Sequence, residues 1–227
     1  MRPRFVGRLE TADLFTTLNA GLGFVAVVTA TVDVRLAARI VLVAAIADAL
    51  DGIIARVYGG SEVGPYLDSL ADVASFSVAP ALIVVEATKE TTLFSGYTGY
   101  VIGGVGAVFV AMGVLRLGMY TAFDTKDDRT KGVPTTLAAT ILMAGTLADL
   151  GPDVLFVGMA GFAVLMVTQI PYPDLRIRDA FVMGTVQVLA VGVPFVYNEL
   201  FPKALLAWAL AYLVLGPVYY RGEGKRS

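Results

Sequence analysis

Eight apolar runs long enough to cross a bilayer set the terms on which this chain can fold. They fall at about residues 14–31, 36–57, 65–86, 97–121, 133–150, 153–170, 180–197 and 202–220, where a helix needs roughly 17 to 25 mostly apolar residues to span the hydrocarbon core. Lipid offers backbone groups no hydrogen-bond partner, so runs of this length become helices, whose backbone bonds are internal. Asp149-Leu-Gly-Pro-Asp153 and Asn198-Glu-Leu-Phe-Pro202 are turn-forming breaks that divide the last four runs into pairs. The expectation is an all-α membrane protein with about eight transmembrane helices, in a single integral membrane domain over residues 1–227 with no linker or internal repeat.

Composition agrees. The chain is 57% hydrophobic and 16% charged, while soluble domains carry about a quarter charged residues. It has no cysteine, which excludes disulfides, thiolate nucleophiles and zinc-thiolate sites. It has no histidine either, so an imidazole triad is impossible and any proton transfer falls to Asp, Glu, Lys, Tyr or water. A net charge of −2 and a pI near 5.1 speak against nucleic acid as a partner. No small-residue cleavage site and soluble domain follow the first apolar run, so no cleaved signal peptide is expected.

Lys and Arg predict the orientation. With the N-terminus in the cytoplasm, the inner segments hold Arg2, Arg4, Arg8, Arg56, Lys126, Arg129, Lys131, Arg176, Arg178, Arg221, Lys225 and Arg226, and the outer ones Arg35, Arg39, Lys89 and Lys203. Twelve against four predicts an even number of crossings with both termini cytoplasmic.

Against this lipid-like background, Asp48, Asp51, Asp68 and Asp72 stand out. A buried carboxylate without a partner is costly, so four close together need cations or one another. Asp48 and Asp51 are three apart on one helix, and Asp68 and Asp72 four apart on the next, so each pair shares a face. Two antiparallel helices joined by the short loop Tyr58 to Val63 can turn those faces together on the cytoplasmic side. Oxygen-only ligands favour hard divalent ions, Mg²⁺, Mn²⁺ or Ca²⁺, and four carboxylates can hold two of them. Two ions suit displacement at a pyrophosphate. Gly52, Ala55 and Gly64 are small enough for a phosphate or nucleotide to approach, and Arg56 can pair with phosphate oxygens. Arg116, near the inner end of the fourth span, reads as a substrate cation or a snorkelling arginine. Asn19 reads as a site residue or an interhelical bond. The polar loop 123–132 reads as a solvated connection or a substrate contact.

The run Asp48, two residues, Asp51-Gly52, two residues, Ala55-Arg56, a loop, Gly64, three residues, Asp68, three residues, Asp72 resembles the signature of the CDP-alcohol phosphotransferases. The seven-residue loop 57–63 is one residue shorter than usual there. Leu67-Asp-Ser-Leu-Ala-Asp72, Ser75-Phe-Ser-Val-Ala-Pro80, Leu115-Arg116-Leu117 and Lys131-Gly-Val-Pro134 are similar to segments of the CDP-lipid:serine branch, the phosphatidylserine and archaetidylserine synthases. Gly118, Met119 and Thr121 depart from that branch, where Ala, Arg and Asn are expected.

The resemblance implies a core of six membrane helices, here with two more, and a homodimer. It implies that Asp48, Asp51, Asp68 and Asp72 hold two divalent cations and that Asp72 is the base for the acceptor hydroxyl. It also implies that Gly52, Ala55 and Arg56, with Ser61 and Asn19, bind the CDP-activated lipid. The expected reaction transfers the phosphatidyl-type group of CDP-diacylglycerol or CDP-archaeol to the hydroxyl of L-serine and releases CMP. Arg116, with Arg129 and Lys131 behind it, would take the serine carboxylate. Sister transferases that use inositol phosphate or glycerol phosphate, a membrane transporter and a structural membrane scaffold are the alternatives. A transporter would be expected to show inverted repeats and interrupted helices, which the sequence lacks.

Overall fold

The structure, a computed structural model, describes residues 9–89, 98–124, 129–173, 177–193, 195–196 and 198–219. Its elements are α1 (Thr11–Ala30), α2 (Val34–Tyr58), α3 (Gly64–Asp72), a π-helical segment (Val73–Val78), α4 (Ala79–Thr88), α5 (Thr98–Met119), a second π-helical segment (Tyr120–Asp124), β1 (Arg129–Lys131), α6 (Thr135–Leu147), α7 (Pro152–Leu165), β2 (Pro171–Pro173), α8 (Ile177–Gly192) and α9 (Leu200–Tyr219). The first π segment joins α3 to α4 in one continuous rod, so the described residues form eight helical rods in the order expected.

Four rods are long and apolar enough to cross a membrane: Thr11–Ala30, Gly64–Thr88, Gly99–Phe123 and Leu200–Pro217. At 25 residues α2 is as long, but it carries Arg35, Arg39, Asp48, Asp51 and Arg56. Helices α6, α7 and α8 are shorter than their apolar runs. Run 133–150 yields only Thr135–Leu147, because Pro134 caps its start and the chain turns through Asp149, at φ 56°, after its end. Thirteen residues rise about 20 Å, less than the hydrocarbon thickness of about 30 Å. The interior is what suits α6: twelve of its thirteen residues are buried, and it touches α2, α7 and α9.

Capping fixes where the functional helices begin. The Glu10 N–H donates to Asp13 Oδ2 at 2.7 Å at the start of α1. Asp33 Oδ1 accepts from the Leu36 N–H at 2.9 Å at the start of α2. Gly59, at φ 90°, ends α2 in a conformation that favours glycine. Pro65 sits in the first turn of α3, where an N–H has no helical partner to lose.

Small residues let α1 sit close to its neighbours, the usual route to helix association where the solvent is itself apolar. Its buried face is Ala12, Asp13, Thr16, Asn19, Gly23, Ala26 and Ala30, and α2 answers with Ala37, Ala38, Ala44, Ala45 and Ala47. A Cβ at Gly23 would lie 2.9 Å from backbone atoms of Ala74 and Ser75, and Ser75 Oγ donates to the Asn19 carbonyl at 2.7 Å. At the opposite end of α2, Arg35 ties three turns together. It pairs with Asp149, donates to the Leu147 carbonyl at 3.0 Å, and meets Glu199 Oε1 at 2.7 Å.

Candidate active site

The α2–α3 hairpin brings the two acidic faces together. Asp48, Asp68 and Asp72 each offer a carboxylate oxygen, and these oxygens lie within 4.8 Å of one another. Asp51 stands outside this trio. It is buried and accepts from Thr16 Oγ1 at 2.6 Å. The reason is helical pitch: three residues advance 300° rather than a full turn, so Asp51 is rotated toward α1. From α1, Asn19 Nδ2 donates to Asp72 Oδ1 at 3.3 Å. Asn19 Oδ1 is buried and has no hydrogen-bond partner among the described residues.

Beside the trio opens a cavity of about 350 Å³, lined by Ala12, Asp13, Thr16, Asp51, Gly52, Ala55, Gly60, Ser61, Gly64, Pro65, Asp68 and Tyr120. That volume is within the range of small-molecule sites. Gly52, Ala55 and Ser61 are therefore on the cavity wall. A Cβ at Gly52 would find no atom of the described residues nearer than 4.0 Å, the Arg56 Nη2 atom. Packing within the protein leaves room for a side chain at Gly52, so the empty space faces whatever occupies the cavity. Arg56 itself is exposed and does not line the cavity. Nor does Asn19, which lies deeper, against Asp72.

Arg116 is buried, donates to Thr130 Oγ1 at 3.1 Å and lies 5.3 Å from the centre of the Tyr120 ring. Lys131 is exposed on β1. The Arg129 side chain and residues 125–128 lie outside the described residues.

Asp13, Thr16, Gly60, Pro65 and Tyr120 were not among the expected site residues. Asp13, Thr16 and Asn19 carried a signal nonetheless: three polar residues spaced three apart in an otherwise apolar helix share one face. Asp13 is held from two sides, by the Glu10 N–H and by Ser61 Oγ at 3.1 Å.

The donor set suits a hard cation. Three carboxylates meet without a nitrogen or sulfur ligand, and their like charges need a counter-ion. The geometry thus sets the acidic trio beside a cavity bounded by α1, α2, α3, the loop between α2 and α3, and Tyr120 of the second π-helical segment. The family model for CDP-alcohol phosphatidyltransferase matches residues 9–171. The chain belongs to that family. It is a multi-pass membrane phosphatidyltransferase, of a family that generally depends on divalent metal. The archaetidylserine synthase of Methanothermobacter thermautotrophicus is 30% identical to it over 170 residues, covering 71% of this chain and 68% of that protein. The CDP-diacylglycerol–serine O-phosphatidyltransferase of Helicobacter pylori (strain J99) is 33% identical over 180 residues, covering 72% of each. The protein of the same name from Mycobacterium leprae is 30% identical over 202 residues, 81% of this chain and 59% of its own length.

Proposed function

We propose that this phosphatidyltransferase moves the phosphatidyl-type group of a CDP-activated lipid to the hydroxyl of L-serine and releases CMP. The observation that carries the reading is the convergence of Asp48, Asp68 and Asp72 beside the cavity, in a chain whose curated relatives bear serine-transferase names. Asp48, Asp51, Asp68 and Asp72 would hold two divalent cations, Mg²⁺ or Mn²⁺. When bound, the ions neutralise the pyrophosphate and stabilise the departing CMP.

The CDP moiety lies in the cavity against Gly52, Ala55 and Ser61, with Arg56 at its mouth. Thr16 fixes the orientation of Asp51, and Asn19 that of Asp72. Asp72 accepts the proton of the serine hydroxyl. The serine oxygen then forms a bond to the lipid-side phosphorus as the anhydride bond to CMP breaks, so one P–O bond replaces another. Arg116 receives the serine carboxylate, with Arg129 and Lys131 behind it. A single membrane domain carries these groups, opens its site to the cytoplasm with both termini on that side, and pairs as a homodimer.

Purified enzyme given isotope-labelled serine and either CDP-diacylglycerol or CDP-archaeol tests the reading by mass spectrometry of the lipid product. Labelled phospholipid with equimolar CMP supports it. Turnover only with inositol phosphate or glycerol phosphate would overturn the serine assignment and leave the transferase class standing.

A further inference from the structure

The guanidinium of Arg116 is reached from an unexpected direction. Its partner Thr130 is the middle residue of β1, and antiparallel pairing sets Thr130 opposite Tyr172 of β2. Tyr172 is buried; its hydroxyl donates to the Leu213 carbonyl of α9 at 3.0 Å, and its ring centre lies 6.3 Å from that of Tyr212. Gly132 locks the end of β1: it has φ 79°, its N–H donates to the Ile170 carbonyl at 2.9 Å, and a Cβ there would stand 2.0 Å from the Met166 carbonyl oxygen. A two-stranded ribbon alone is marginal, and this one is held at both strands. The family match ends at residue 171, where β2 begins, so Tyr172 and α9 lie beyond what the family model covers.

We propose that β2 and α9 form a brace that fixes Thr130, and through it Arg116, for binding the acceptor. The proposal rests on the reading that Arg116 receives the serine carboxylate. An arginine side chain has many rotamers, and its fork serves an incoming carboxylate only when it is held in one direction. The Thr130 hydroxyl and the Tyr120 ring hold that direction. Thr130 and Tyr172 are thus positioning residues for serine, and the last helix serves the acceptor side of the reaction.

Steady-state kinetics of the full-length enzyme, with serine and CDP-lipid varied in turn, test this. Thr130→Val raises KM for serine roughly five- to tenfold by removing one hydrogen bond to a charged group. The effect falls on that parameter rather than on kcat or on KM for CDP-lipid, and Thr130→Ser restores the wild-type value. Tyr172→Phe, which removes only the bond to α9, raises KM for serine about two- to threefold. A loss spread evenly over both KM values, or no rescue by serine at 130, overturns the brace. If Thr130→Val does not survive purification, an unchanged serine KM in Tyr172→Phe overturns it equally. Arg116→Gln separates the two layers. A raised serine KM there, with Thr130→Val at the wild-type value, refutes the brace alone. An unchanged serine KM in Arg116→Gln removes the acceptor role of Arg116 and the brace with it.

Discussion

Replacing Gly23 by alanine adds one methyl group where α1 meets the π-helical segment. Its Cβ would lie 2.6 Å from Ser75 Oγ and 2.9 Å from two backbone atoms, the Ala74 carbonyl carbon and Ser75 Cα. The hydroxyl can rotate away, but the backbone atoms can only retreat, by about 0.5 Å to reach ordinary 3.4 Å contact. Asn19 lies four residues earlier on the same face, and its 3.3 Å bond to Asp72 would stretch to about 3.8 Å, beyond hydrogen-bonding range. Overpacking of this kind costs about 1–3 kcal/mol, which for a chain of this size lowers Tm on the order of 2–12 °C. Turnover should fall with it, because the moved helix is the one that orients Asp72 and, through Thr16, Asp51. Gly21→Ala is the matched control on the same helix: nothing lies within 4 Å of its Cβ, so the gain in helix propensity leaves it neutral or slightly stabilised. Thermal unfolding followed by size-exclusion chromatography, with CMP release measured in parallel, compares the two. If Gly23→Ala matches Gly21→Ala in both assays, the argument that backbone contact seats α1 against the carboxylates is wrong.

Further expectations concern the site and the far end of the molecule. Gly52→Val should raise KM for CDP-lipid at least tenfold with Tm unchanged, because no protein atom lies within contact of the new Cβ; a lowered Tm would show that packing, not ligand, demands the glycine. Asp48→Asn should abolish CMP release yet raise the Tm of chelator-treated protein, since it removes one of three charges crowded within 4.8 Å; a lower Tm would count against that crowding. EDTA in excess should stop turnover and added Mg²⁺ or Mn²⁺ restore it; undiminished turnover in EDTA contradicts the metal reading. At the far end, the hydrogen bond from Arg35 holds the Glu199 carboxyl below its ordinary value of 4.5. A lowered folded-state value stabilises the protein above pH 4.5 and loses that contribution as pH falls through it. Glu199→Gln should therefore lower stability by no more than about 1 kcal/mol near neutral pH, with the gap to wild type closing in acid; a constant gap would point to packing instead.

The helices were legible because lipid imposes one rule on every residue it touches: Leu, Val and Ala runs that long have little choice but to coil. The trio was legible because Asp68 and Asp72, at a spacing of four, share a helix face that only the hairpin partner can meet. What escaped was short-range or three-dimensional. Asp51 looked equivalent to Asp48 along the chain, and only the rotation between them hands it to Thr16. Asp13 lay ahead of the first apolar run as drawn, since hydropathy fades before a helix capped by its own side chains does. Arg56 belongs to the same motif as Gly52, yet its long side chain leaves the wall that Gly52 forms. Run length overstated α6 and α7, because apolar turn residues such as Val133 and Ala148 count toward a run without being helical.

The π-helical stretch after Asp72 makes residue number there as binding as residue identity. Its wider coil accommodates one residue more than an α-helix would over the same rise, and Ser75 and Ser77 are placed against Gly23 and Gly113 on that count. Deleting a single residue between Val73 and Val78 would draw the stretch into a regular α-helix, and Ser75 and Ser77 could not then both keep their places against Gly23 and Gly113.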